Sequence, residues 1–344
     1  MRVILVSPWR ETDPRTVRGA PDQAFLVDAM RKRGWEVKLV RPSAMGSGLL
    51  RIALLWPEVT FNLIAIPAKS LGLGADLVIC MDGKALPGAW LAALLRGAKL
   101  AKFQHGIKDF RARRNRLVAN WINADVILNY LGPGLLFAVE DGSGAHDLAA
   151  RLRKVVKLYP AHSGVCDSSD RNATFAFVGR LHRIKGAGRF LEMARLVKKE
   201  LPDARCLVIG AGPLSDEFTR SGLCEMTGEI PHRDVAGRLQ GARVLCATSP
   251  YGNFTLPVVE AMALGVVPVV FGVAATARLL RQAGVSVRPG DVRAMAREVV
   301  RLLSDDGHFR EASARALERA AELPSWDARM GLTLDALEGL CSDS

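Results

Sequence analysis

Apolar and polar positions divide the chain into two successive runs of the same kind. The first opens on RVILVS, a short β-branched stretch, followed by a polar loop through Gly19. From Ala24 to Arg33 the apolar residues fall at helical spacing, and GWEVKLV then gives a second strand. ADLVICM, AKLAKFQ and ADVILNY read as further strands, with PGAWLAALLRG as a helix between the first two. The polar stretch His162 to Asn172 reads as a linker, after which the pattern restarts. TFAFVG, RCLVIG, ARVLCAT and VVPVVF are strands in this second run, and helices are predicted over Arg189–Leu201, Pro257–Leu264 and Val292–Leu303. Continuous apolar strands alternating with helices predict parallel sheets covered on both faces. The fold class expected is α/β, two doubly wound domains with ligands at the carboxyl ends of the strands.

Charge separates the two runs. Residues 1–158 hold 24 basic and 13 acidic side chains, +11, whereas residues 159–344 hold 23 and 22, +1. An acidic partner is therefore expected to meet the first run. The six cysteines form no CxxC pair, which points to a reducing cytosol and no structural zinc. MRVILVSPWRETD turns polar after six residues, so no signal peptide is read there. The longest uncharged run, Ala261 to Ala277, holds Gly265, Pro268 and Gly272, and reads as helix end, turn and buried strand rather than a membrane span. Leu49 to Lys69 is broken by Arg51, Pro57 and Glu58; it is either a pair of connecting helices or an interfacial segment.

Three stretches carry candidate chemistry. In VGRLHRIKG, a strand ends at Gly179, and Arg180 and Lys185 follow in the loop beyond it. Such a loop can aim both cations at a phosphate, the alternative being two solvated surface cations. In YGNFTLPVVEAMALG, Pro257 suits a first helical turn and Gly265 a helix end. The amides of Phe254, Thr255 and Leu256 would then form an anion site at the positive end of the helix dipole. Glu260, one turn in, would reach a neutral hydroxyl such as a ribose, or would be an ordinary exposed glutamate. IGAGP, with Gly210 and Gly212, is a tight turn after a strand; Ser215 holds the third glycine position of a dinucleotide fingerprint. No D-x-D triplet occurs, so the usual carboxylate pair for a sugar-nucleotide metal is absent and no metal site is expected.

In the first run, His105 lies just past a strand, where its imidazole would donate to a substrate oxygen or serve as a structural hydrogen-bonder. Lys108, Arg111, Arg113, Arg114 and Arg116 follow against one Asp109, as an acidic-partner surface or a solvated helix face. No nucleic-acid module is present, and the basic residues are not interleaved with aromatics, so nucleic acid is not an expected partner.

Together these stretches resemble glycosyltransferase family 4, retaining nucleotide-sugar enzymes with the GT-B fold of two Rossmann-like domains facing each other across a cleft. FVGRLHRIKG, LPDARCLVIGAGP, TGEIPHRDVAGRL and TSPYGNFTLPVVEAMALGVVPVV carry the likeness in order and spacing; PSWDARMGLTLDALE resembles the closing helix. The resemblance implies an acceptor domain over 1–161, a donor domain over 172–323, and a helix over 324–344 crossing back to the first domain. It implies that Arg180 and Lys185, helped by the amides around Phe254, Thr255 and Leu256, hold the donor diphosphate, and that Gly179, Gly210, Gly212, Gly252 and Asn253 also belong to the donor site. Glu260 would bind the ribose and backbone near Glu229 and Ile230 the base. His105 matches the family's active-site histidine, near the transferred sugar, and makes the implied catalytic set with Arg180 and Lys185. The implied donor is a UDP- or GDP-sugar with no obligatory cofactor. The implied acceptor is a glycan or lipid-linked sugar. The basic charge of the first run separately suggests an anionic membrane surface as a further partner of a cytoplasmic, peripherally attached protein. Two features depart from the family pattern. Gly252 replaces the first of two motif glutamates, so sugar recognition differs, and the glycine pair after the first strand is reduced to Gly19. A silent sugar-nucleotide-binding protein and a nucleotide-sugar epimerase of the same fold are the alternatives.

Overall fold

The computed structural model describes residues 1–14, 16–17, 21–43, 55–105, 134–139, 154–166, 171–249, 256–272 and 274–342. The chain divides into two compact units: Met1–Asp13, Asp22–Leu158 and Ala328–Ser344 make the first, and Pro14–Pro21 with Tyr159–Asp327 the second.

In the first unit the strands are β1 (Arg2–Val6), β2 (Glu36–Val40), β3 (Leu77–Cys80), β4 (Lys99–His105), β5 (Leu135–Val139) and β6 (Val155–Leu158). They form one parallel sheet in the order β2-β1-β3-β4-β5-β6. Helices α1 (Asp22–Lys32), α2 (Leu55–Lys69) and α3 (Leu86–Leu94) connect them. The strand LVIC is buried throughout, as a parallel strand covered on both faces must be. The segment Leu49 to Lys69 is a helix from Leu55 onward; it buries Val59, Asn62, Ala65 and Ile66 and leaves Phe61 and Ile64 exposed.

The second unit repeats the plan. Its strands are β7 (Thr174–Val178), β8 (Arg205–Ile209), β9 (Glu225–Gly228), β10 (Val244–Ala247), β11 (Val267–Phe271) and β12 (Val285–Val287). Its helices are α4 (Ala187–Glu200), α5 (Ser215–Ser221), α6 (His232–Leu239), α7 (Leu256–Ala263), α8 (Ala274–Leu280), α9 (Val292–Ser304) and α10 (Asp306–Ala321). The parallel sheet runs β12-β11-β10-β7-β8-β9. Side chains alternate across it as strand pleating requires. Phe175, Phe177, Cys206, Val208 and Val269 enter one core, whereas Ala176, Leu207, Ile209 and Val270 enter the other. Helix α9 seals the first core with Val292, Met295, Ala296, Val299 and Leu302, the spacing of one helical face, and Asp291 caps it by accepting from the Ala294 amide at 2.8 Å. Full burial of each Val, Leu or Met side chain on this face stabilises by roughly 1.5–3 kcal/mol.

The polar stretch from His162 to Asn172 does more than tether. The buried His162 ring is hydrogen-bonded to the carbonyls of Ala320 and Leu323, and the Arg171 guanidinium donates to the Ala242 and Leu264 carbonyls beneath the Phe309 ring. Polar side chains here satisfy carbonyls at the helix and strand ends of the second unit. A last helix, α11 (Trp326–Ser342), begins in the second unit and lies in the first from Ala328 on.

Candidate functional site

Strand order reverses between β7 and β10: β8 and β9 lie to one side, β11 and β12 to the other. The loops leaving such a pair diverge and open a crevice at the strands' carboxyl ends. Both sequence-predicted anion elements leave this pair. Arg180 and Lys185 follow β7, and the segment entering α7 follows β10.

The loop after β7 is held from β10. His182 caps a 3-10 turn, Arg183–Lys185, by accepting from the Ile184 amide at 3.1 Å. Thr248 Oγ1 donates to the Gly186 carbonyl at 2.9 Å, and Ser249 Oγ to that of Ile184 at 3.0 Å. Gly186 has φ +74, and a Cβ there would stand 1.9 Å from the Thr248 carbonyl oxygen. Only glycine allows both that conformation and that approach. The cation loop is thereby fixed to the residues immediately ahead of the α7 segment.

Neither Arg180 nor Lys185 forms an ion pair with a carboxylate among the described residues. Arg180 is exposed. Lys185 is exposed as well, yet partial desolvation by the surrounding protein lowers its pKa from the ordinary 10.5. An anion placed beside it would relieve that cost.

The neighbouring turns are tied into the same edge. Gly210 has φ +134, its amide donates to the Gly228 carbonyl at 2.9 Å, and a Cβ on it would meet the Gly179 carbonyl at 2.2 Å. Leu181 N donates to the Ala211 carbonyl at 3.0 Å. Gly212 N donates to Ser215 Oγ at 3.0 Å, so the serine at the third fingerprint position ties down this turn. Gly179, Gly210, Gly212 and Gly228 therefore share one edge, and Glu229 and Ile230 follow directly.

Glu260 is buried rather than an exposed helix glutamate, and one carboxylate oxygen accepts from His232 Nε2–H. His232 opens α6, its backbone amide donates to the Val17 carbonyl at 2.7 Å, and its ring meets the Trp326 ring edge-on. Sequence reasoning missed His232, Thr248 and Ser249. The available signals were the Pro-His pair at a helix start and the Thr-Ser pair closing a strand.

Leu256 is the first residue of α7, while Gly252, Asn253, Phe254 and Thr255 lie outside the described residues. Lys108, Arg111, Arg113, Arg114 and Arg116 lie outside them too. His105 closes β4 opposite Val139, and its side chain is likewise not described. Among the described residues no group of three or more His, Cys, Asp and Glu could hold a metal ion, and no helix is long and apolar enough to cross a membrane.

Residues 172–305 match the family described as Glycosyl transferases group 1. Over 123 residues the chain is 32% identical to the O-antigen chain mannosyltransferase B of Escherichia coli, covering 36% of this chain and 32% of that one. The chain thus spans about a third of the length of that curated relative. Among solved structures, sucrose-phosphate synthase from Thermosynechococcus elongatus superposes with a TM-score of 0.75 at 17% identity over 100% of both chains. Anabaena HepE in complex with UDP-glucose gives 0.70 at 14% identity over 98% of this chain and 100% of that one. A mutant of S. aureus TarM in complex with Fondaparinux, alpha-GlcNAc-glycerol and UDP gives 0.66 at 14% identity over 82% of this chain and 59% of that one. At these identities the likeness shows fold alone. The fold is GT-B, with two six-stranded parallel α/β units, in keeping with the class expected from the sequence.

Proposed function

We propose, from the group 1 glycosyl transferase match of residues 172–305, that the protein transfers a sugar from a nucleoside-diphosphate donor to an acceptor glycan or lipid-linked sugar. The observation that carries the reading is the loop after β7 at the β7/β10 switch, which bears two cations without a carboxylate partner among the described residues and is hydrogen-bonded to Thr248 and Ser249 just past β10. Arg180 grips a diphosphate oxygen with its planar fork, and Lys185 adds a mobile positive charge. Both stabilise the negative charge that grows on the leaving diphosphate, as do amides at the amino end of α7. Glu260, its orientation held by His232, accepts from a ribose hydroxyl, and the backbone at Glu229 and Ile230 meets the base. Transfer proceeds with retention, the departing phosphate taking the acceptor's proton, and without an obligatory metal. The donor base is uracil or guanine, and an anionic membrane surface meets the basic first unit.

Gly252 at the first motif position favours one other reading, a protein that binds sugar nucleotides without turning them over. A thermal-shift screen of UDP, GDP and ADP with their sugars, followed by assays of transfer and donor hydrolysis, separates the two. Stabilisation by a diphosphate with turnover supports the enzyme. Stabilisation without transfer or hydrolysis supports the binding protein, and no stabilisation by any diphosphate overturns both.

A further inference from the structure

Two cysteines distant in sequence meet at the edge of the second sheet. Cys206 is the second residue of β8, and Cys224 directly precedes β9, one register position before the Leu207–Glu225 pair. Their sulfurs are 2.7 Å apart. Neighbouring strands lie about 4.8 Å apart, within the roughly 4.4–6.8 Å between Cα atoms that a disulfide spans. The two thiols therefore stand where a bond can form without moving either strand.

We propose that Cys206 and Cys224 are a reversible oxidation site, joined by a peroxide into a disulfide that staples the edge strand β9 to β8.

The two sulfurs differ in chemistry. Cys224 is partly exposed, and the Cys206 S–H donating to it, with Lys198 and Arg195 of α4 nearby, lowers its thiol below the ordinary value. Cys206 is buried, which holds its own thiol protonated. Cys224 is thus the attacking thiolate and Cys206 the resolving thiol. In the first step the Cys224 thiolate attacks one peroxide oxygen, the O–O bond breaks, hydroxide leaves, and the sulfur is oxidised by two electrons to sulfenic acid. In the second step Cys206 attacks the sulfenic sulfur and forms the S–S bond. The displaced hydroxide leaves as water with the Cys206 proton, so two thiols and one hydrogen peroxide give one disulfide and two waters.

The other cysteines lack this arrangement. Cys80 and Cys246 are fully enclosed, and burial pushes the Cys80 thiol up to about 12. Cys166 is exposed, and Cys341 is shifted upward by burial. The site makes no assumption about the reaction proposed above, so its test stands apart from that one.

Arg205, Arg220 and Arg233 place the two cysteines on separate tryptic peptides, 206–220 and 221–233. After limiting hydrogen peroxide and blocking of free thiols, non-reducing mass spectrometry of the full chain is expected to find these peptides joined, two hydrogens lighter than their sum. Dithiothreitol should release them. Cys206→Ser should leave a Cys224 sulfenic acid that dimedone traps, while Cys224→Ser should remove both products. The oxidised wild type should melt at a higher temperature than the reduced form, because the bond closes a loop in the unfolded chain. Recovery of both peptides singly blocked once the peroxide is consumed overturns the proposal, as does a disulfide joining either cysteine to a different partner. The wild-type map alone decides, even where a variant fails to fold.

Discussion

Lys185 sits where a positive charge is disfavoured until a negative one arrives. Its folded pKa is lowered from 10.5, while the unfolded chain keeps the ordinary value. Between the two values the unfolded state binds more protons, so folding stability is expected to rise with pH across that window. Diphosphate affinity should fall across the same window, because the binding form is the protonated one; calorimetric titration with UDP and GDP at stepped pH checks the sign. Lys185→Ala should weaken diphosphate binding by about 10–100-fold, the equivalent of losing one charged hydrogen bond of about 1.5–3 kcal/mol, with an unchanged circular dichroism spectrum. His232 acts differently. His232→Ala leaves the buried Glu260 carboxylate without its donor, and should cost about 1–3 kcal/mol in urea unfolding. His232→Gln keeps a donor and should recover part of it. If Glu260 meets the ribose, His232→Ala should also narrow the affinity gap between a nucleoside diphosphate and its dideoxy analogue, a readout that a purely structural histidine would not move.

Most elements built on a strong period were legible from residues alone. The buried strand β5 and helix α10 were not read, and ADVILNY, expected as a strand, lies outside the described residues. The buried runs at β3, β7, β8, β10 and β11 announce themselves, as does the 3.6-residue face of α9. Strands β9 and β12 escaped notice because EMTG and VSV are short and half-buried, and only their register against β8 and β11 makes them strands. VVKL in β6 is another edge strand of this kind. Helix α6 carries an ordinary amphipathic pattern around only two buried residues, Val235 and Leu239. The cation loop was legible as Arg180 and Lys185 after a strand, but not the hydroxyls of Thr248 and Ser249 that fix it, since no sequence spacing links residues 62 and 65 positions apart. Gly186 tests that fixation. Gly186→Ala should cost at least the 1–3 kcal/mol typical of about one strained backbone position, because its Cβ also meets the Thr248 carbonyl. Denaturant unfolding would measure this, and diphosphate binding should weaken in proportion to the displaced loop.

Across the whole chain, the first unit is discontinuous. Its strands lie within residues 1–158, yet Ala328–Ser344 belong to it as well. There Leu334, Leu337 and Leu340 are buried, Arg329 donates to Asp22 from a side chain only 2% exposed, and Arg33 pairs with Asp335 and Glu338. A chain stopped at Asp327 should therefore be cut by limited proteolysis first within the strands of the first unit, while the stretch 159–327, which makes most of the second, resists longer. Arg329→Ala, which removes one partner of a largely buried ion pair with Asp22, should lower the stability of the first unit by about 3–5 kcal/mol in urea unfolding. The same interleaving reaches into biogenesis. A ribosome releases the strands of the first unit well before the helix that closes them, so the nascent amino-terminal half must wait, incompletely packed, while the later half assembles ahead of it. Chaperones would be needed most during that interval, and a stall before Ala328 would leave the first unit short of a segment it requires.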